Sequence, residues 1–240
     1  MRKSHLPKTH SLNETLVVMQ PTFLPWAGYF NLMAQASCFV FLDDVQLEKQ
    51  SWQTRNRLLM NGQPQWVSIP VRHGHLSQLI NETDVVADKR WREKLGRGFS
   101  QAYGKHPHYK VAQEIIELLA CETSKNLADL NELLIRFMAN QLGITTPMHR
   151  ASELGISGDR SDRLVAICRH LGAKEYLSPL GAADYLAEDG FAAHSPAVLR
   201  FQNYQPRPYP QLGTREYISH LSMVDVIANM GWAEAKDYVL

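Results

Sequence analysis

The chain has 240 residues, of which 45% are hydrophobic and 20% are charged, and its formal net charge is +1 at pH 7. A chain of this size can bury a hydrophobic core of ordinary volume. Its near-zero charge provides no global field for nucleic acid or anionic membranes, and no apolar run approaches the roughly 20 residues that span a bilayer. We therefore expect neither a nucleic-acid partner nor a membrane span.

Residues 1–15 are mostly polar and lack the apolar stretch of a secretion signal. We interpret them as an N-terminal tail before a single α/β domain over residues 16–240, and we expect a cytoplasmic protein. The cysteines, Cys38, Cys121 and Cys168, are far apart in the chain and odd in number. We expect each of them to be buried as a small apolar residue.

The first apolar run, residues 16–19, stops at Gln20 and Pro21, and a helix-period segment then leads to a second apolar run before Asp43. Strand-like runs on either side of a helix predict a βαβ unit and a largely parallel, Rossmann-like sheet. Loops that follow parallel strands collect at one edge of the sheet, where ligands bind. This edge would carry Gln20, Trp26, Asp43, Asp44 and Gln46.

Asp43 and Asp44 end the second strand-like run and are the candidate catalytic residues. Either could act as general base, bind a substrate amine or sugar hydroxyls, or hold a divalent cation. Neighbouring residues of a strand point to opposite faces, so we do not expect the two carboxylates to act as one pair. One of the two would then be functional, and the other would form hydrogen bonds with the backbone of a loop.

A basic segment, Arg55-Asn56-Arg57, precedes a predicted hairpin whose turn is Asn61-Gly62, two residues that tolerate positive φ. Guanidinium groups offer forked donors to phosphate or carboxylate, and the nearby Trp52 could stack on a nucleotide or sugar ring. The alternative is a solvated edge strand whose charges discourage aggregation.

Residues 88–143 form a block with helical periodicity and no strand signal, which predicts a helical insert. Within it, Trp91, Leu95, Phe99 and Tyr103 recur at four-residue steps and mark one apolar helix face. Two further helices are expected over residues 111–120 and 127–141. This block would wall or cover the ligand site.

The C-terminal part repeats the order of helix, strand, small-residue turn and helix, with helices expected over residues 160–171, 182–188 and 221–229. The turn runs from Ser178 to Gly181, and the start of the next helix carries Asp184. Backbone N–H groups at such a turn favour an anion, although Pro179 removes one donor. A purely structural loop is the alternative.

The familiar cofactor motifs are missing from the chain. His73 and His75 invite a metal, but no third ligand follows at a metal-binding spacing, so we expect no metal site. There is no GxSxG, Walker or GxGxxG sequence, and the residues identify no cofactor.

The chain resembles the WbqC-like family of bacterial proteins from residue 16 onward. The resemblance rests on residues 20–30, on residues 39–46 with Asp-Asp-Val-Gln, on Arg55-Asn56-Arg57, and on shorter matches at residues 66–71, 91–94, 163–178 and 209–211. Members of this family sit among genes for O-antigen and other surface polysaccharides, and the resemblance implies glycine transfer onto a sugar. Ser178-Pro179 stands where the family often has Ser-Gly, which narrows the conformations of this loop.

A more distant likeness concerns the segment from Pro25 to Tyr29, which looks like the HxGH loop of nucleotidylyltransferases. Trp26 and Tyr29 stand where the two histidines would be. Those histidines stabilise charge on transferring phosphates, and neither Trp nor Tyr carries a cation to do so. The resemblance therefore implies a shared fold without adenylyl transfer.

Three hypotheses follow. The first is a transferase that moves a glycyl or related acyl group to an amino- or hydroxy-sugar, with an activated amino acid and a sugar or sugar nucleotide as substrates. Its cleft floor would be the loop that contains Gln20, Pro21, Trp26, Gly28 and Tyr29. The second is a non-catalytic nucleotide or sugar-nucleotide binding protein, and the third is a relative of the nucleotidylyltransferases.

Overall fold

A five-stranded parallel sheet forms the centre of the structure, a computed structural model that describes residues 14–240. The strands lie in the order β5-β2-β1-β6-β7 and all neighbouring pairs are parallel, which confirms the Rossmann-like α/β class. Their bounds are β1 Thr15–Met19, β2 Cys38–Phe41, β5 Met148–Arg150, β6 Glu175–Ser178 and β7 Val198–Phe201. The predicted tail over residues 1–15 lies almost entirely outside the described residues.

Both faces of the sheet are buried, because alternate residues of each strand enter different hydrophobic clusters. Val17 and Phe39 pack into one cluster, whereas Leu16 and Val40 pack into the other. The helix α1, Ala27–Gln35, connects β1 to β2 as the βαβ prediction requires. Continuous apolar runs are the expected sequence of strands that are covered on both sides.

The hairpin and the helical block also form where the sequence indicates. Strands β3 (Arg55–Met60) and β4 (Gln63–Ser68) pair antiparallel across Asn61 and Gly62, whose φ angles are 54° and 73°. The helices of residues 88–143 are α2 Arg90–Tyr103, α3 Tyr109–Cys121 and α4 Leu127–Gln141. Cys38 and Cys168 are buried as expected, but the expectation for Cys121 was wrong, because this residue ends α3 exposed to solvent.

The remaining helices are α5 Arg160–Leu171, α6 Ala183–Glu188, α7 Phe191–His194 and α8 Met223–Val239. The last helix is broken at Gly231, whose φ of 74° and ψ of 177° are not helical, so its first part ends close to the predicted residue 229 and a second helical part follows. Asn31 of α1 donates to the Val239 carbonyl at 2.8 Å and so holds the distal part of α8. Among the helices of residues 14–240, none combines the length and hydropathy that a bilayer span requires.

A buried carboxyl lies at the start of α8. Asp225 is fully buried and accepts hydrogen bonds from the hydroxyls of Tyr103, at 2.8 Å, and Tyr209, at 2.6 Å. Burial raises the pKa of this carboxyl above its usual value, and the two tyrosine hydrogen bonds oppose that shift without cancelling it.

This raised pKa predicts a pH effect on stability. The favourable contribution of the protonated Asp225 is complete below its unfolded pKa of about 4 and is lost as the pH rises through the folded pKa. Asp225→Asn cannot titrate at this position. We therefore expect the unfolding free energy of the wild type, minus that of the variant, to fall as pH rises from about 4. Urea unfolding at several pH values measures this difference, and a constant difference would contradict the prediction.

Candidate functional site

The sheet has a topological switch point between β1 and β6. The chain leaves β1 for β2 on one side, whereas β6 and β7 extend the sheet on the other side. Ligands of open α/β sheets bind in the crevice outside the carboxyl ends of strands at such a point. A cleft occupies this place and consists of three adjoining chambers.

The polar chamber has a volume of about 680 Å³, and its lining includes Gln20, Asp44, Gln46, Arg163 and Tyr185. The middle chamber, about 440 Å³, is lined in part by Gln20, Thr22, Trp52, Pro179, Gly181 and Tyr185. The apolar chamber, about 350 Å³, is lined in part by Thr22, Trp26, Tyr29, Trp52, Asn56, Arg57 and His220. Adjacent chambers share lining residues and so form one cleft, and their volumes match those of small-molecule sites.

Asp44 stands in the wall of the polar chamber as part of an ion pair. Arg163, from the first turn of α5, contacts its Oδ2, and Arg163 Nη1 donates to the Asp44 carbonyl at 3.3 Å. The side chain of Asp44 is only 17% exposed, and that of Arg163 is 11% exposed. Asp44 Oδ1 is buried and has no hydrogen-bond partner within residues 14–240. The carboxylate is therefore held in place with one oxygen unused.

Asp43 lies in different surroundings. It is fully buried, and its Oδ1 and Oδ2 accept from the backbone N–H and the hydroxyl of Ser152, at 3.0 and 2.6 Å. Its own carbonyl accepts from the N–H of Asn81 at 2.9 Å. Asp43 is not among the lining residues of the three chambers. It connects the end of β2 to the turn that follows β5.

Two buried asparagines shape the loop after β1. Asn131 Nδ2 donates to the carbonyls of Pro21, at 2.9 Å, and Gln53, at 2.8 Å. Asn56 Nδ2 donates to the carbonyls of Phe23 and Leu24, at 2.9 and 2.8 Å. Pro21 is buried, and the side chain of Gln20 accepts a hydrogen bond from Gln53. The loop is thus held by side chains from β3 and α4.

The Trp26 indole covers the first turn of α1. A Cβ atom on Gly28 would lie 2.1 Å from Trp26 Cζ2, so the ring requires glycine at this position. On other sides the ring faces Tyr204 and His220, with centroid distances of 5.7 and 4.6 Å. Tyr29 is buried, and its hydroxyl donates to the Gln20 carbonyl at 3.1 Å.

The two arginines of β3 differ in position. Arg57 lines the apolar chamber, and its Nη2 donates to the His220 carbonyl at 3.2 Å. Arg55 lines none of the three chambers and lies with its guanidinium 4.2 Å from the centroid of Trp66. Trp66 packs in turn on Trp52, which lines two of the chambers, with a centroid distance of 5.2 Å. This cation–π contact therefore lies beside the cleft.

The turn after β6 lines the cleft with Pro179 and Gly181 and not with Ser178. Ser178 is fully buried and donates to the Pro179 carbonyl at 3.4 Å, whereas Pro179 and Gly181 line the middle chamber. Asp184 is exposed in the first turn of α6 and lines none of the three chambers. Gln46 lines the polar chamber while its Nε2 donates to the Leu76 carbonyl at 2.7 Å.

The residue-by-residue reading of the sequence missed His220 and the role of Arg163. Both come from distant segments, and neither belongs to a motif that identifies a ligand. The loop residue His220 is exposed to solvent overall and lies next to Arg57, and partial desolvation together with this arginine lowers the pKa of its imidazole. The local feature that they share is a position near the N-terminus of a helix, which the sequence does predict.

No three His, Cys, Asp or Glu side chains within the described part of the chain are grouped to hold a metal ion. His73 and His75 are exposed and lie in a separate cavity of about 220 Å³.

Comparison with known proteins identifies the family. The profile of the WbqC-like protein family matches residues 20–237. An uncharacterized protein of Mycobacterium tuberculosis is 30% identical over 199 residues, which cover 82% of this chain and 86% of that protein. No solved structure matches the chain significantly. Since the match covers nearly all of the chain, the chain belongs to the WbqC-like protein family.

Proposed function

We propose that the protein is a transferase of surface polysaccharide biosynthesis that moves a glycyl or related acyl group onto an amino- or hydroxy-sugar. The observation that carries the proposal is a cleft at the switch point of the sheet whose walls present amide, carboxylate and guanidinium side chains. Gln20, Gln46 and Asp44 line its polar chamber, and Arg57 lines its apolar chamber. A few polar groups of this kind in a concave site fix the orientation of a small polar ligand.

The chambers suit different parts of the reactants. Hydroxyl groups of a sugar fit the polar chamber, where Gln20, Gln46 and Asp44 supply donors and acceptors. Asp44, whose position is fixed by Arg163, would bind hydroxyl groups of the acceptor sugar in the same chamber. Arg57 would bind a phosphate or carboxylate of the donor at the apolar chamber. Asp43 acts as a positioning residue in this proposal, since its oxygens are occupied inside the protein.

Asp44→Asn tests the proposal. With a glycyl thioester as donor and a nucleotide-linked amino sugar as acceptor, we expect the wild type to form a glycylated sugar. The variant should lose about 100-fold in rate, because an amide holds the sugar less firmly than a carboxylate does and a misplaced acceptor loses the geometry of attack. Mass spectrometry of the product measures the transfer.

The control for this test is Asp184→Asn, which changes an exposed carboxylate outside the chambers and should keep the wild-type rate. Equal rates for the wild type and Asp44→Asn would remove Asp44 from the mechanism. Failure of every glycyl donor and amino-sugar acceptor with folded wild-type protein would overturn the transferase proposal.

The second candidate is a non-catalytic protein that binds a nucleotide or sugar nucleotide in the same cleft. The observation that favours it is the Asp44–Arg163 ion pair, since it engages the carboxylate of the polar chamber in a structural contact and leaves Gln20 and Gln46 there to bind polar groups of a ligand. A ligand at 100 times its Kd should stabilise the native state by about 2.7 kcal/mol. Such stabilisation by UDP-sugars without turnover would support this candidate.

A nucleotidylyltransferase reaction has the least support from the geometry. The side chains at the positions of the two histidines are Trp26, which packs on Gly28, and Tyr29, whose hydroxyl donates to a carbonyl. Neither supplies a cation for a transferring phosphate. A cytoplasmic location remains a prediction from the sequence.

A further inference from the structure

The segment before α8 is fixed between two walls of the apolar chamber. The N–H of Ser222 donates to the Arg57 carbonyl at 3.0 Å, and the N–H of Met223 donates to the Pro25 carbonyl at 2.8 Å. Trp26 and Ser222 also form an isolated antiparallel bridge. Because these contacts involve backbone on both sides, the segment that carries His220 has a defined position at the chamber.

His220 itself has a strained backbone. Its φ angle is 59°, in the left-handed region that residues other than glycine seldom occupy. Its carbonyl accepts from Arg57 Nη2 at 3.2 Å, so a charged side chain of the chamber holds this conformation. Strain of this kind costs about 1–3 kcal/mol, and it concentrates at sites where it positions a functional group.

The imidazole is oriented as well. Its ring packs on Trp26 at a centroid distance of 4.6 Å, and its Nδ1 lies 2.8 Å from the Ser219 hydroxyl. Nε2 makes no hydrogen bond within residues 14–240 and is the free nitrogen of the ring. Partial desolvation, together with Arg57 as the charged group that faces His220, keeps the pKa of the imidazole below its usual value. The pKa values of Tyr29, which lines the same chamber, and of Tyr204, which packs on Trp26, lie far above neutrality.

From this geometry we propose that His220 is the proton acceptor of the acyl transfer, a role that rests on the proposed transferase function. Nε2 takes the proton of the attacking amine or hydroxyl while that nitrogen or oxygen bonds to the acyl carbon. The bond between the acyl carbon and the donor's leaving group then breaks, and Nε2 returns the proton to the leaving group. No external oxidant or co-reactant is needed, because the proton and the acyl group are both conserved.

Hydrolysis of 4-nitrophenyl acetate tests His220 without either natural substrate, since water can replace the sugar as nucleophile. We expect the wild-type rate to rise with pH through a midpoint below 6.5, the usual pKa of histidine. His220→Asn should lower the rate at least about tenfold. Asparagine tolerates the left-handed conformation, so the variant keeps the backbone of the loop. His73→Asn changes an exposed histidine outside the cleft and is the control.

An unchanged rate in folded His220→Asn would overturn the proposal, and so would a wild-type midpoint at or above 6.5. The wild-type profile provides this second criterion even where the variant is unstable. Loss of ester hydrolysis in His220→Asn with no glycyl transfer by the wild type would retain His220 as a base and reject the transferase proposal. The two failures are therefore distinguishable.

Discussion

Replacement of Asn56 by alanine should lower the stability of the protein by about 2–4 kcal/mol, which corresponds to a fall in Tm of roughly 4–16 °C. The side chain donates to the carbonyls of Phe23 and Leu24, and all three residues are buried. Alanine would leave both carbonyls unpaired where water does not replace the amide. It would also remove the oxygen that accepts from the N–H of Arg57 at 2.8 Å.

The effect should extend from stability to the cleft. Leu24 has a φ angle of 44°, which a large side chain adopts only when its surroundings enforce it. Without Asn56 the loop should relax toward ordinary backbone angles and change the positions of Thr22 and Trp26 in the apolar chamber. The affinity of the apolar chamber for its ligand should therefore fall even at temperatures where the variant remains folded.

Thermal and urea unfolding measure the first effect, and titration with UDP-sugars measures the second. Asn140→Ala is the matched control, because Asn140 is exposed on α4 and alanine suits a helix. A stable Asn56→Ala protein with reduced affinity alone would show instead that the amide contacts the ligand directly. That result would contradict the supporting role that the hydrogen bonds indicate.

The architecture could be predicted from the sequence because the signals for its helices, strands and turns are local. Helices α4 and α5 begin and end at the predicted residues, since each has a complete apolar face and a clear boundary such as Gly172. Strands β1 and β2 are short apolar runs, whereas β5 contains His149 and Arg150 and gives only a weak strand signal. The Asn61-Gly62 turn specifies its hairpin without distant contacts. The break of α8 at Gly231 agrees with the helix end predicted near residue 229, whereas the helical part beyond it, which Asn31 holds, was not predicted.

The candidate site could be predicted only in part, because its geometry depends on long-range packing. Their position after parallel strands predicts that Gln20 and Asp44 lie at one edge of the sheet, and both line the polar chamber. Which of the two neighbouring carboxylates faces that chamber depends on the pleat at the end of β2, and a shift of one residue would exchange them. Arg163 lies 119 residues from Asp44, and no local pattern connects such a pair. Ser178 is buried for the same reason, since its surroundings are set by packing against β7.

Replacement of Gly28 by alanine should have its largest effect on the apolar chamber. The added Cβ would lie 2.1 Å from Cζ2 and 2.3 Å from Cη2 of Trp26. Carbon atoms in contact require about 3.5 Å, so the indole must leave its place. Overpacking of this kind costs about 1–3 kcal/mol, and the higher helix propensity of alanine offsets up to about 1 kcal/mol of it. The net loss of stability should thus be moderate.

Displacement of Trp26 should remove the surface on which the His220 imidazole packs and should reshape the wall of the chamber. We therefore expect Gly28→Ala to lose at least about tenfold in His220-dependent ester hydrolysis while it remains folded. Increased quenching of tryptophan fluorescence by acrylamide should accompany this loss, because a displaced indole becomes more exposed. Gly96→Ala is the control, since a Cβ there lies 3.9 Å from Ile116 Cγ2 and fits within α2. If Gly28→Ala hydrolyses the ester at the wild-type rate and shows wild-type quenching, the indole has room to move without changing the chamber. Trp26 would then have no part in positioning His220.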